Sequence, residues 1–283
     1  MDLELVAGRI KDLPTLPIVV NKIVTLVENP KASAADLAKI VSMDPALTTK
    51  ILTVVNSAFY SFPRKISTIS HAVMILGFGD VKNIALSISV FNIFKGKKSE
   101  ALNLPEFWKH SIGVGVAARL LGKRVKYPEA EEAFIAGLLH DVGKIVFQRF
   151  FSTEYAKVIQ YCQSHRIWIR EAEKAILDGT DHNDIGEVVG EKWKLPPRLV
   201  RVLKYHHTPL ASPEADMLTS LVHAGDVFTR IRKIGDGGDG NFIPQLVKEI
   251  WYKLKISPEE LNKVYLELDD EMQKAMEFLE LAK

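Results

Sequence analysis

The histidine–aspartate pair at positions 140 and 141 is the feature of this sequence best suited to bind a divalent metal ion. It ends an apolar run within FIAGLLHDVGK, residues 134–144, whose apolar side chains recur at helical spacing. A helix with that pattern faces the core, so His140 and Asp141 are expected at the mouth of the core. A neutral imidazole beside an ionised carboxylate is a suitable pair of ligands for one divalent ion. Lys144 follows closely, and its ammonium could face an anionic group bound to that ion.

Other polar residues interrupt apolar helical stripes in the second half of the chain, and they come from several different predicted helices and junctions. Together with His140 and Asp141, the candidates are Glu106, His110, His182, His206, His207 and Asp226. One such histidine alone is more often a hydrogen-bonded core residue or a surface group. Burying five imidazoles and three carboxylates in one core would be costly without an ion, so the whole set favours a metal site.

The elements that must position these residues are helices. Strand alternation is nowhere sustained, and the β-prone run at residues 84–91 is assigned to a helix because its neighbours are helical. The fold class is therefore all-α. Periodicity and capping residues predict helices within residues 14–30, from Ser33, from Asp44-Pro45, over 67–76 and 80–94, from Pro105, before His140, over 154–177, from His182, from Pro196-Pro197, and over 217–232, 244–254 and from Ser257-Pro258.

A polar break divides the chain. Residues 95–103, KGKKSEALN, are the candidate boundary between an N-terminal helical subdomain, residues 1–98, and a metal-site subdomain with C-terminal helices, residues 99–283. A second break, GDGGDGN at residues 235–241, predicts a flexible loop.

The composition narrows the class of protein. With 37 basic and 35 acidic residues the formal net charge is +2, which gives no reason to expect a nucleic acid or a membrane as partner. The single cysteine, Cys162, excludes an internal disulfide and a thiolate metal cluster. The sequence shows no signal-peptide pattern and no apolar run of about 18 residues, so a cytoplasmic protein is expected.

The order of the candidate ligands resembles a known signature. His110, His140-Asp141 and Asp226 look like the H…HD…D pattern of the HD superfamily of metal-dependent phosphohydrolases. The segments LPTLP, VSMDPALTTKILTVVNSAFY, AVMILGFGDVKNIAL and WKLPPRLVRVLKYHH resemble the HDOD domain, an HD-related signalling module of bacteria, over roughly residues 13–210. The resemblance implies an all-helical, HD-like bundle with an N-terminal helical subdomain and a metal pocket in the second half.

The resemblance also implies roles for individual residues. Ligands for a first divalent ion would be His110, His140, Asp141 and Asp226. Related HD-GYP phosphodiesterases place ligands for a second ion at positions matched here by His182, His206 and His207. Some of them add a carboxylate ligand at the position matched by Glu106. Lys144 matches the lysine that contacts the substrate phosphate in such enzymes. One or two ions are expected, with iron or manganese favoured.

Two functions follow from this resemblance. After His206-His207 the chain reads TPLASPEAD, without a GYP motif, so cyclic-di-GMP hydrolysis is not expected. Many HDOD domains have lost the ligands and act as signalling scaffolds, whereas this chain keeps them. The first function is a regulatory module whose metal pocket is structural or senses a ligand, acting through a signalling protein partner. The alternative is a metal-dependent phosphohydrolase acting on a nucleotide or another phosphorylated small molecule, with Asp141 and Lys144 as the catalytic candidates.

Overall fold

A computed structural model describes residues 12–27, 31–94, 102–213, 216–238 and 242–282, together with residues 8 and 29. The described residues contain helices and no strand, which confirms the all-α fold. In chain order the α-helices are α1 (Ile18–Val27), α2 (Ala34–Val41), α3 (Pro45–Val55), α4 (Ile69–Leu76), α5 (Phe78–Phe94), α6 (Leu104–Arg124), α7 (Ala130–Leu139), α8 (Val142–Phe150), α9 (Ser152–His165), α10 (Ile169–Ile176), α11 (His182–Lys192), α12 (Pro197–Tyr205), α13 (Met217–Ile231), α14 (Lys248–Leu254) and α15 (Pro258–Ala282).

Capping residues set several helix starts as the sequence predicts. The Ser33 hydroxyl accepts a hydrogen bond from the backbone N–H of Asp36, and the Asp36 carboxylate accepts one from the Ser33 N–H, so α2 begins with a complete capping box. Asp44 caps α3 by accepting a hydrogen bond from the Leu47 N–H at 3.0 Å, and Pro45 occupies the first helical position.

The described residues form two compact units. Helices α1–α5 lie in one unit, with the part of α15 that follows residue 268. Every residue of the run 84–91 in α5 is buried. A helix that is buried on all sides carries no polar stripe, which explains why this run reads as a strand by propensity alone yet is helical.

The other unit comprises the described residues up to Leu13 and those between 102 and 268. Here α6 packs against both α7 and α13. Glycines allow α6 and α7 to approach closely, because a Cβ atom on Gly137 would lie 2.6 Å from backbone atoms of Gly115. This close contact brings the buried side of α6, which bears His110, towards the end of α7, where His140 lies.

Two predicted helices differ from the structure by more than two residues or in number. The segment predicted over residues 244–254 becomes helical only at Lys248. The Val247 N–H, immediately before this helix, donates to His223 Nε2 at 3.1 Å, so the preceding loop is attached to α13. The segment predicted over 154–177 divides into α9 and α10, since Arg166 adopts a left-handed conformation with φ of 52°.

Parts of two other sequence features lie outside the described residues. They are most of the polar break at 95–103, including the candidate boundary between residues 98 and 99, and residues 239–241 of the glycine-rich loop. Among the helices that the structure describes, no single one has both the length and the apolar character required to cross a membrane.

Candidate metal centre

Seven of the predicted site residues converge on one buried region of the second unit. They come from α6, the junction of α7 with α8, the start of α11, the end of α12 and the middle of α13. None is more than 7% exposed. The converging side chains are His110, His140, Asp141, His182, His206, His207 and Asp226.

The carboxylate of Asp141 lies at the middle of this cluster, and its two oxygens face different histidines. Oδ1 lies 3.3 Å from His182 Nε2 and 3.5 Å from His206 Nε2. Oδ2 lies 3.2 Å from His140 Nε2 and accepts a hydrogen bond of 2.8 Å from Lys144 Nζ. Asp141 is therefore placed so that each oxygen could contact a separate ion.

Hydrogen bonds at the far side of the rings orient two of the histidines. His140 ends α7, and its Nδ1 donates to the Gly137 carbonyl oxygen at 2.6 Å, which leaves Nε2 facing Asp141. His206 ends α12, and its Nδ1 lies 3.0 Å from the Val202 carbonyl oxygen. Each ring thus presents Nε2 to the cluster, as metal-binding histidines commonly do.

His182 is oriented by an acidic residue that the sequence analysis did not select. Its Nδ1 lies 2.6 Å from Glu173 Oε2, and Tyr155 donates a hydrogen bond to Glu173 Oε1 at 3.0 Å. Burial alone would lower the pKa of His182, but the negative charge of Glu173 opposes this effect, and the pKa of His182 is raised. The signal in the sequence was spacing: Glu173 lies four residues after Ile169 and three residues before Ile176, and therefore on the apolar side of α10.

Burial and neighbouring charges prepare the cluster for a cation. Burial would raise the pKa of Asp141, yet the neighbouring His140 ring and the Lys144 ammonium hold that pKa well below its usual range. Burial lowers the pKa of His206 to about 4 and lowers the pKa of His207 strongly as well. At neutral pH an ionised carboxylate and neutral imidazoles are the protonation states that bind a metal ion.

The donor atoms fit a divalent ion. Two groups each have ligand atoms within 4.8 Å of one another, and both include Asp141; they are Asp141, His182, His206 and His207, and His110, His140 and Asp141. Among the described residues, several buried cluster atoms have no hydrogen-bond partner of good geometry: Nε2 of His110, His140 and His206, and Oδ1 of Asp141. Leaving four buried polar atoms without a partner costs free energy, and a bound ion would remove that cost. Imidazole and carboxylate ligands suit several divalent transition metals.

Asp226 borders the cluster through His110 and belongs to neither group of ligand atoms. Its Oδ1 lies 3.2 Å from His110 Nε2 and accepts a hydrogen bond of 2.7 Å from Arg230 Nε. Burial would raise the pKa of Asp226, but Arg230 and His110 hold it well below its usual range. Arg230 is another residue that the sequence analysis missed, although it lies one helical turn after Asp226 on the same side of α13.

The structure places the two remaining predicted residues differently. Lys144 is fully buried, and its ammonium donates to Asp141 Oδ2 and to the Gly237 carbonyl oxygen at 3.0 Å. Glu106 is only partly buried, and its carboxylate is in neither ligand group. Its backbone carbonyl instead accepts a hydrogen bond from the Asp236 N–H. Nothing in the sequence pattern indicated that residues 235–237 would approach the cluster.

Comparison with known proteins identifies the family. The HDOD domain model matches residues 13–209. A protein of Treponema pallidum (strain Nichols), described only as uncharacterized, is 28% identical over 210 residues, which cover 74% of this chain and 40% of that protein. The chain thus spans well under half the length of this curated relative.

Solved structures share the fold. An HDOD domain protein of unknown function from Geobacter sulfurreducens has a TM-score of 0.77 at 23% identity, covering 98% of this chain and 99% of that one. A proposed phosphohydrolase from Shewanella amazonensis SB2B has a TM-score of 0.75 at 22% identity, covering 98% of both chains. A proposed signal transduction protein from Marinobacter aquaeolei VT8 has a TM-score of 0.78 at 22% identity and covers 100% of this chain and 61% of that one.

Proposed function

The chain belongs to the HDOD domain family, and from this premise we propose that it is a bacterial regulatory protein of signal transduction that retains a divalent metal centre. Its ligands would come from the two groups that share Asp141, with Asp226 beside them. The protein would act through a signalling protein partner. The observation that supports the metal centre is the pair of Asp141 oxygens, each of which faces a different set of buried histidines.

The residues around the ligands would hold the metal centre rigidly. Glu173 orients His182 through Nδ1, and the Gly137 carbonyl oxygen orients His140 in the same way. A bound divalent ion would supply positive charge and Lewis acidity to an anionic ligand. Because the ligand side chains are almost completely buried, the surrounding helices exclude bulk water and strengthen the electrostatic interactions within the centre.

The position of Lys144 favours regulation over turnover. Its ammonium is fully buried between Asp141 and the Gly237 carbonyl oxygen, where it helps to keep the Asp141 carboxylate ionised. A lysine in that position supports the ligand arrangement directly. The first role of the metal would then be to stabilise the helical unit and to respond to a bound ligand.

The alternative is a metal-dependent phosphohydrolase. It is favoured by Asp141, because a carboxylate between two sets of ligands is typical of two-metal sites that cleave phosphoesters. Its substrate would be a phosphoester or a nucleotide, since the sequence after His207 lacks the motif expected for cyclic-di-GMP hydrolysis.

Elemental analysis of protein purified without chelator tests the proposal, with an assay of bis(4-nitrophenyl) phosphate hydrolysis beside it. We expect at least one divalent ion per chain, lost in His140→Ala and retained in His165→Ala, whose histidine is exposed. Bound metal without hydrolysis supports the regulatory function. Hydrolysis that disappears in His140→Ala supports the alternative. Protein with well under one ion per chain contradicts both.

A further inference from the structure

Residues 235–238, Gly-Asp-Gly-Gly, form a short non-helical strap after α13 that lies against the metal cluster. The Asp236 N–H donates to the Glu106 carbonyl oxygen of α6 at 3.0 Å. The Gly237 carbonyl oxygen accepts a hydrogen bond of 3.0 Å from Lys144 Nζ of α8. The strap is therefore attached to two different helices of its unit, although the sequence predicts a flexible loop here.

Two glycines allow the strap to lie directly on His110. Gly235 has a φ of 66°, and a Cβ atom on it would overlap the backbone nitrogen of His110 and the carbonyl oxygen of Glu106. A Cβ atom on Gly237 would lie 3.2 Å from His110 Nε2. Because glycine alone combines a positive φ with so close an approach, the strap fits against both the backbone and the ring of His110 in this form only with glycine at these positions.

The strap forms one wall of the buried cluster. His110 is 1% exposed and Lys144 is 0% exposed, and both residues contact the strap. The end of the strap lies against apolar side chains, because a Cβ atom on Gly238 would be 3.0 Å from Leu102 Cδ1 and 3.2 Å from Ile169 Cδ1. Movement of the strap away from α6 and α8 would therefore expose His110 and Lys144 to solvent.

The composition of the strap makes such a movement easier than the separation of two helices. Three of its four residues have no side chain, so the strap itself contributes little buried apolar surface. Its described hydrogen bonds to α6 and α8 come from backbone groups, and a bond of 2.8 Å from the Gly238 N–H to Asp236 Oδ1 lies within the strap. Segments with few apolar contacts open locally at a lower free energy than the whole protein unfolds.

We propose that the strap is a regulatory cover of the metal centre, closed in this structure, whose local opening controls access to His110 and Lys144. The inference deepens the proposed regulatory function and rests on it for the metal ion. Opening of the strap would set the rate at which ions and ligands reach the centre. Because opening removes the Gly237 carbonyl oxygen from Lys144, the reactivity of the Lys144 ammonium reports the position of the strap directly.

The test is acetylation of Lys144 in the full-length protein by an N-hydroxysuccinimide ester, followed over time by mass spectrometry. The variant Gly235→Ala should react roughly tenfold faster or more, because the added methyl group collides with α6 and destabilises the closed strap. The matched control is Gly179→Ala, since Gly179 has a φ of 85° but a Cβ atom there meets nothing within 4 Å. A chelator should also remove the metal faster from Gly235→Ala than from the control.

The outcomes separate this inference from the metal-centre proposal, because acetylation is also measured on chelator-treated protein. Lys144 that reacts at the wild-type rate in Gly235→Ala, or equally fast in Gly179→Ala, overturns the inference. If Gly235→Ala does not fold, Asp236→Ala decides, because it removes the acceptor of the Gly238 N–H without adding volume and should also speed the reaction. Metal-containing protein with unchanged acetylation retains the proposed function and loses this inference. Protein that binds no metal but reacts faster only in the strap variants does the reverse.

Discussion

Glu173 and His182 form a buried hydrogen-bonded pair, with 2.6 Å between Glu173 Oε2 and His182 Nδ1. The residues lie on successive helices, α10 and α11, and neither is exposed to solvent. Because the carboxylate engages Nδ1, the ring presents Nε2 to Asp141 at 3.3 Å. A carboxylate behind an imidazole also makes the imidazole a stronger metal ligand, so Glu173 is expected to tune the centre without entering it.

Substitution Glu173→Gln should weaken metal binding by roughly 10- to 100-fold, because the amide keeps the shape of the side chain but loses its charge. Competition with a chromogenic chelator measures the affinity. Glu171→Gln is the matched control, since Glu171 lies on the same helix and is exposed. Equal affinity in the two variants would show that Glu173 has only a structural role.

Substitution His140→Ala should remove the metal while the unit containing α1–α5 stays folded. The lost side chain belongs to the other unit, which has its own buried core. Hydrogen exchange followed by mass spectrometry compares protection of α3 and α5 with that of α7 and α8. Loss of protection in α3 and α5 together with α7 and α8 would mean that the two units unfold cooperatively.

Substitution Gly137→Ala should destabilise the protein by about 1–3 kcal/mol and also weaken metal binding. The added Cβ would collide with the backbone of Gly115, so α6 and α7 must separate and His110 must move away from His140. Urea denaturation and chelator competition measure the two effects. The control is Gly79→Ala, where a Cβ atom meets nothing within 4 Å; a similar loss there would refute the steric explanation.

The metal-free protein should become less stable as the pH falls from about 6.5 towards 4. Burial lowers the pKa of His206 to about 4 and lowers that of His207 strongly, whereas both titrate near 6.5 when unfolded. Between those values the unfolded chain binds more protons than the folded chain, so acidification favours unfolding. The raised pKa of His182 opposes this, because its contribution to stability is present at low pH and is lost as the pH rises.

Urea denaturation of chelator-treated protein at pH 7 and pH 5 tests this pH dependence. Each histidine that stays neutral only in the folded state contributes up to about 1.4 kcal/mol per pH unit. The variant His206→Asn should show a smaller difference between the two pH values, and His165→Asn should behave like the wild-type protein because His165 is exposed. A higher stability at pH 5 would contradict the prediction.

The sequence alone determined the fold class and the position of the central ligand pair. Helix starts at Ser33 and Asp44 follow from local hydrogen bonds between neighbours in the chain, and such interactions are visible in the sequence. The HD pair at the junction of α7 and α8 follows from an apolar helical stripe that ends in polar residues. The HDOD domain model matches residues 13–209, which confirms the family that the sequence segments within this range resemble.

Only the tertiary structure decided how distant residues meet. The pairing of Glu173 with His182 depends on how α10 packs beside the start of α11, and Gly237 meets Arg230 because the chain returns to the cluster after α13. The direction of the Lys144 ammonium was likewise decided by a carbonyl oxygen 93 residues away in the chain. Such contacts depend on the packing of whole helices and loops, and side-chain spacing within one helix does not encode them.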